Sequence, residues 1–339
     1  MDSTSTQLRL TIAIPTYNRA AYLDLCLYHI CRQIQKYETS IEILISDNDS
    51  SDNTGDIVQK YISEGYPITY LRNKDNIGPD RNFIQCFRLA KGKYVLIMGD
   101  DDILLECAIE TILNIIEKGE YGIIHMNAYG FKEDHIKEKP KTYFNSYTIY
   151  KDHLKYVKVV NYLITFISAN IINKELVDNN REFEQYIGTN LIQLSWTLSA
   201  LFNAKENVYI RDHLIAAQMF NSNEGYYLCR TFAVNLNKVF DIFNKRGISK
   251  LNFEIINKKL LMKYFPAQII RSRMKMIKYK KEDYYNILYP MYKNYINFWF
   301  FTVPAIILPK KIAFFILSIT NTFRRVLWFL KSIPDFFRK

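Results

Sequence analysis

The sequence predicts an α/β fold on a mainly parallel sheet flanked by helices, followed by a C-terminal helical membrane-associating region. Three observations lead there. Short β-branched runs alternate with amphipathic stretches over the first 126 residues. Three polar clusters each follow directly on one of those runs, and from about residue 255 lysines and arginines come in blocks between aromatic residues. Near-continuous apolar strands separated by helices indicate a sheet covered on both faces.

Leu8–Ile14 reads as the first strand, Ile41–Ile45 and Ile68–Leu71 as the next two, and Tyr94–Met98 and Tyr121–Met126 as the fourth and fifth. Between them Leu23, Leu27, Ile30 and Ile34 recur at helical spacing. Phe83, Phe87 and Ala90 do so too, as do Thr111, Ile112, Ile115 and Ile116 within Glu106–Lys118. Residues 127–230 are less regular: Ile164–Ile172 suggests a strand, Leu191–Leu201 a helix, Asn207–Arg211 a short strand, and 221–226 a polar loop. In parallel sheets ligands bind beyond the carboxyl ends of the strands. Pro15-Thr16-Tyr17-Asn18-Arg19, the run from Asp47 to Asp52, and Gly99-Asp100-Asp101-Asp102 all fall there.

The 339 residues are 49% apolar and 23% charged, which supplies a core and excludes a disordered chain. A net charge of +11 points to an anionic partner. The five scattered cysteines contain no CxxC pair, so neither a disulfide framework nor a zinc site is expected, and a reducing cytosolic compartment fits. The first residues lack the basic and apolar regions of a secretory signal.

Asp100, Asp101 and Asp102 are the strongest chemical signal. Adjacent carboxylates repel and raise one another's pKa unless a cation neutralises them, and hard oxygen ligands favour Mg²⁺ or Mn²⁺. The bland alternative is a helix cap, which would account for Asp102 at best. Asp47, ending the second strand, suits a hydrogen bond from a nucleobase N–H, whereas Asp52 and Ser50 read as turn and cap residues. In the turn from Asn73 to Asn82, Gly78 allows close backbone approach and Arg81 could face a phosphate.

IAIPTYNR, ILISDNDSSDNT, NIGPDRN and YVLIMGDDDIL, in this order and spacing, resemble the family 2 glycosyltransferases, which have the GT-A (Rossmann-like) fold. The match covers roughly residues 8–126. Within the family the GDDD form and the later Asn-Ser…Gly-Tyr loop look most like abequosyltransferase-type enzymes of bacterial O-antigen and capsule assembly. The resemblance implies a nucleotide-sugar-binding half over 1–126 and an acceptor-binding half over 127–250, while the basic and aromatic composition sets the membrane-associating region at 251–339. It implies donor contacts from Pro15, Thr16, Tyr17, Asn18, Arg19, Asp47, Asn76, Gly78, Arg81 and Asp100, with Thr16 and Asp47 at the base and Asp100 at the ribose. Asp101 and Asp102 would hold the divalent cation and diphosphate. Gly99 occupies the first acidic slot of the Asp-x-Asp-Asp pattern many relatives carry, which leaves open whether Asp100 also touches metal.

An inverting transfer needs a carboxylate to take the acceptor proton. Relatives place one about a hundred residues downstream, where this chain reads Tyr186-Ile187-Gly188-Thr189-Asn190. Asp178, Glu182, Glu184 and Asp212 are the nearby alternatives, each also readable as a solvated surface charge. His213 is a weak candidate for a further metal ligand, and His125, after a buried strand, reads as a satisfied core histidine.

The apolar run Tyr295–Leu308 is shorter than the roughly 20 residues a membrane span needs, and Pro304 interrupts it. From Pro309 to Lys339 seven basic residues face one acidic residue. Helices lying in the interface plane, with Lys and Arg toward lipid phosphates, are therefore expected. The expected partners are a nucleoside-diphosphate sugar, a glycan acceptor that is lipid-linked, and an anionic membrane surface at the cytoplasmic face of the bacterial inner membrane. Competing readings are a nucleotidyltransferase, which would show a Gly-rich phosphate loop where this chain has PTYNR, and a non-catalytic membrane-surface adaptor. A nucleic-acid binder is disfavoured because the basic charge gathers in the aromatic C-terminal segment.

Overall fold

The computed structural model describes residues 8–37, 39–141, 144, 146–177, 183–219 and 225–315. The chain divides into two compact units, one comprising residues 1–221 and 239–252, the other 222–238 and 253–339.

In the first unit a nine-stranded sheet is built from β1 (Leu10–Thr16), β2 (Ile41–Asp47), β3 (Ile68–Arg72), β4 (Tyr94–Ile97), β5 (Ile103–Leu104), β6 (Ile123–Phe131), β7 (Tyr147–Tyr150), β8 (Asn170–Asn173) and β9 (Asn207–Gln218). The order is β3-β2-β1-β4-β8-β6-β9-β5, with β7 paired to β9. The β3-β2-β1-β4 half is parallel, as expected. Helices α1 (Ala20–Ile34), α2 (Thr54–Ser63) and α3 (Pro79–Leu89) connect its strands, and α4 (Ala108–Ile116) leads from β5 to β6.

Burial explains the first half. Leu10, Ile12 and Ile14 alternate along β1 and join Leu23, Leu27, Ile30 and Ile34 of α1 in one core, all fully buried. Each such side chain contributes roughly 1.5–3 kcal/mol. The order itself locates the site. The chain steps from β1 outward to β3, then returns to place β4 on the other side of β1, so the topological switch lies between β1 and β4.

The second half differs from expectation. β8 runs antiparallel between β4 and β6, so the sheet is mixed. The apolar run Ile164–Ile172 is two short 3-10 turns followed by only four strand residues. The Asn170 side-chain amide donates to the carbonyls of Ile164 (2.9 Å) and Phe166 (2.8 Å), which bends the chain back before β8. β9 extends to Gln218 rather than Arg211, and the expected helix at Leu191–Leu201 is α6 (Leu194–Asn203), preceded by α5 (His153–Val160).

The second unit is helical. Asn237, Asn257 and Tyr292 form a closed ring of hydrogen bonds at 2.8–3.0 Å, so its buried polar atoms satisfy one another. The Arg273 guanidinium donates to the carbonyls of Ala305 (2.6 Å) and Leu308 (2.7 Å), meeting the carbonyls that the helix Val303–Ile307 leaves without partners. No helix of the described residues is long and apolar enough to cross a membrane. Most of the basic tail lies outside the described residues, as does the polar loop at 221–224.

Candidate active site

The turn after β1, the turn after β2 and the segment after β4 interlock at the switch point. Asn18 takes the left-handed conformation (φ 52°), which an Asn tolerates, and its amide donates to Ser50 Oγ at 2.9 Å. Asn18 Oδ1 in turn accepts from the Ser51 amide at 2.7 Å. Asp52 Oδ1 accepts from the Thr54 amide (3.1 Å), and its Oδ2 reaches the Ala20 amide (3.0 Å). One carboxylate thus serves the starts of both α1 and α2, in the structural role expected of it.

This frame aims Thr16 and Arg19 at the aspartates. Thr16 Oγ1 donates to Asp100 Oδ2 at 2.8 Å, Arg19 Nε lies 3.2 Å from Asp100 Oδ1, and Arg19 Nη2 lies 2.6 Å from Asp101 Oδ2. Asp102 accepts from the Ser168 hydroxyl and from the Gln218 amide, the latter at 3.3 Å. Ser168 Oγ also accepts from the Gly99 amide at 2.9 Å. The capping explanation of Asp102 fails, because Ile103–Leu104 is β5 and the next helix begins only at Ala108. A Cβ on Gly99 would meet Asp101 Oδ1 at 2.9 Å and Asp102 Oδ2 at 3.2 Å, so the glycine in the first acidic slot gives the carboxylates room to fold over it.

The electrostatics are those of a site short of positive charge. Burial, opposed by Arg19 and reinforced by Asp101, pushes the Asp100 carboxyl up to about 7. Burial and the neighbouring Asp101 also push Asp102 up. Arg19 pairs with two of the three carboxylates, Asp100 and Asp101, and an added divalent cation would relieve the remaining excess. Among the described residues no three acidic, imidazole or thiol groups converge on one point. Mg²⁺ does not require that, since it is usually bound through one or two carboxylates with substrate phosphates and water completing the shell. The all-oxygen donor set of Asp101 and Asp102 therefore fits such an ion.

The other candidates are placed unequally. Asp47 is buried, with Oδ1 accepting from the Ser50 amide (2.8 Å) and Oδ2 from the Tyr70 hydroxyl (2.7 Å). Asn76 Oδ1 accepts from Asn48 Nδ2 (2.8 Å) and the Gly78 amide (2.9 Å), tying the turn before α3 to the end of β2. Gly78 has φ 83°, which favours glycine. Pro15 sits in β1 opposite Ser46, while Tyr17 and Arg81 are exposed.

Among the acidic alternatives, Glu184 pairs with Arg88 at 3.1 Å near the far end of α3. Asp212 accepts from the Phe144 (2.8 Å) and Ser146 (3.0 Å) amides as a loop fastener. Asp178 and Glu182 lie outside the described residues. His213 stands opposite Asn127, five strand residues before Gln218, so roughly 16 Å of strand separates it from the amide that reaches Asp102. It is not brought to the aspartates. His125 is the satisfied core histidine expected, its Nδ1 2.8 Å from Asn170 Oδ1.

Ser168, Gln218 and Tyr70 were not expected. Ser168 and Gln218 reach Asp102 from 66 and 116 residues away, with no periodic signal to mark them. Tyr70 was legible only as a β3 residue; in register it faces Ile45, two residues before Asp47, whose own partner is Arg72.

A mixed sheet that is parallel in its β3-β2-β1-β4 half, with carboxylates and an arginine at its switch point, is the arrangement of the GT-A fold. The fold is shared with Staphylococcus aureus TarS residues 1–349, solved in complex with UDP-GlcNAc (TM-score 0.60, 16% identity, covering 88% of this chain and 82% of that one). Residues 11–177, just under half of the chain, match the family model for Glycosyl transferase family 2. Among curated relatives, abequosyltransferase RfbV of Salmonella typhimurium is 31% identical over 191 residues, 53% of this chain and 57% of that protein. The GalNAc(5)-diNAcBac-PP-undecaprenol beta-1,3-glucosyltransferase of Campylobacter jejuni is 28% identical over 184 residues, 53% of this chain and 56% of that one. The chain spans little more than half the length of these relatives.

Proposed function

We propose that this chain is a glycosyltransferase that moves a sugar from a nucleoside-diphosphate sugar to a hydroxyl of a glycan acceptor in bacterial surface-polysaccharide synthesis. The observation that carries the reading is the meeting of Thr16, Arg19, Asp100, Asp101 and Asp102 at the β1/β4 switch point. Two sequence-distant motifs, one after β1 and one after β4, converge there in a segment that matches the family model.

Thr16 and Arg19 fix Asp100 where a ribose hydroxyl would be held, and Asp47, oriented by Tyr70, offers its remaining lone pairs to a base N–H. Asp101 and Asp102 would hold Mg²⁺ or Mn²⁺. That ion, when bound, supplies Lewis-acid stabilisation of the departing diphosphate. Arg19 also stands within reach of a phosphate once a cation takes over its carboxylate partner.

The acceptor is read as lipid-linked, with the chain working at the cytoplasmic face of the inner membrane. Two observations support this. The undecaprenol-linked substrate in the name of the Campylobacter relative is of that kind. The second unit also presents exposed Ile296, Trp299, Phe300 and Ile307 in one basic segment, and residues 253–315 hold twelve Lys and Arg against three acidic residues. Such a surface suits an anionic interface. The test is metal-dependent release of nucleoside diphosphate from a panel of nucleotide sugars.

A further inference from the structure

Five carboxylates are buried among the described residues: Glu42, Asp47, Asp80, Asp100 and Asp102. Four have both oxygens engaged. Glu42 binds Thr11, the Lys91 amide and the Lys91 ammonium. Asp47 binds Ser50 and Tyr70, Asp100 binds Thr16 and Arg19, and Asp102 binds Ser168 and Gln218. Asp80 differs. Its Oδ2 accepts from the Gly188 amide at 2.6 Å, and its Oδ1 has no partner among the described residues.

Its position follows from the topology. Asp80 is the second residue of α3, which starts just after β3 leaves the carboxyl edge of the sheet, the edge that holds the aspartates. The amide it binds belongs to the loop 186–190, the stretch that offers no carboxylate of its own. That loop leads through Gln193, whose amide donates to the Thr165 carbonyl at 2.7 Å, to the segment carrying Ser168 and so to Asp102. Gly78 and Gly188, on either side of Asp80, both have positive φ, and a Cβ on either would meet nothing within 4 Å. Among the described residues Asp80 Oδ1 is not one of the side-chain oxygens that are both fully buried and unpartnered, so it keeps contact with solvent.

Resting on the glycosyl-transfer reading, we propose that Asp80 is the catalytic base, supplied by α3 in place of a carboxylate from the loop 186–190. The acceptor O–H loses its proton to Asp80 Oδ1 as the acceptor oxygen bonds to the sugar's anomeric carbon. The bond from that carbon to the diphosphate oxygen breaks, the electron pair leaves with the nucleoside diphosphate, and Asp80 returns its proton to water. A single displacement of this kind inverts the anomeric centre. The Gly188 amide holds the carboxylate in one orientation, which is what a positioned base requires. Burial raises the Asp80 carboxyl above its ordinary value, against the lowering effect of that amide, which makes it a stronger base than an exposed aspartate.

Asp80→Asn keeps an acceptor for the Gly188 amide and removes the basic oxygen. With the nucleotide sugar that the full-length wild-type chain turns over, transfer should fall roughly 10²–10⁴-fold. Calorimetric affinity for the matching nucleoside diphosphate with Mn²⁺ should stay within about twofold, and the thermal midpoint should be preserved. Asp80→Ala should lose transfer equally and regain part of it with added formate. Transfer by Asp80→Asn within tenfold of wild type, or a retained anomeric configuration in the wild-type product, would overturn the proposal. Absence of any turnover by the wild-type chain would instead count against the glycosyl-transfer reading itself.

Discussion

Arg19 Nη2 lies 2.6 Å from Asp101 Oδ2, so the last residue of the first motif holds the middle aspartate of the third. The Asp101 side chain is only partly buried, and the neighbouring Asp100 and Asp102 are anchored independently. Asp101→Asn should therefore alter stability by no more than roughly 0.5 kcal/mol. Its turnover should fall on the order of 10²-fold or more, because charge stabilisation at the leaving group is lost. Thermal melting and nucleoside diphosphate release, measured on the same preparation, check both halves.

Tyr70 and Asp47 give a second prediction. The Tyr70 hydroxyl is the donor that fixes Asp47 Oδ2, and Asp47 in turn raises the Tyr70 pKa, after the larger effect of burial. Tyr70→Phe should weaken nucleotide binding by about fivefold to tenfold, corresponding to one hydrogen bond of roughly 1 kcal/mol. Calorimetric titration with the cognate nucleoside diphosphate measures it. Unchanged affinity would remove Asp47 from the base-binding role.

His125 supplies a pH signature. Burial lowers its pKa from 6.5 to about 4, with the Asn170 hydrogen bond opposing. The unfolded chain therefore binds the proton first as pH falls, and the stability tied to a neutral His125 is lost between about pH 6.5 and 4. At pH 5 the loss is roughly 2 kcal/mol. Denaturant unfolding of wild type and His125→Gln at pH 7 and pH 5 should show a smaller pH dependence in the variant, and equal slopes would contradict the assignment.

The exposed ridge of the second unit can be tested directly. Phe300 is 70% exposed and Ile296 68%, so replacing them costs the fold little. Co-sedimentation with vesicles of phosphatidylcholine and phosphatidylglycerol should fall several-fold for Ile296→Ser with Phe300→Ser, and also for Lys310→Glu with Lys311→Glu. Binding that survives both pairs would place the membrane contact elsewhere.

What could be read from the sequence was whatever has a local signature. Leu23, Leu27, Ile30 and Ile34 mark α1 by spacing alone, and the turn clusters after β1, β2 and β4 mark the ligand edge. The contacts that complete the site carry no such signature. Ser168 and Gln218 reach Asp102, and Gly188 reaches Asp80, across 66, 116 and 108 residues. The run Ile164–Ile172 misled because its apolar residues suit a strand, while the Asn170 amide draws the two upstream carbonyls into turns. One polar residue outweighed the hydrophobic pattern.

The most direct measurement is nucleoside diphosphate release from UDP-, GDP-, TDP- and CDP-linked sugars by the purified full-length chain, with Mn²⁺ and then with excess chelator. Release from one donor class that stops on chelation and is absent in Asp101→Asn is the expected result. A folded chain that binds none of these donors, or whose release is indifferent to both chelation and Asp101, would contradict it.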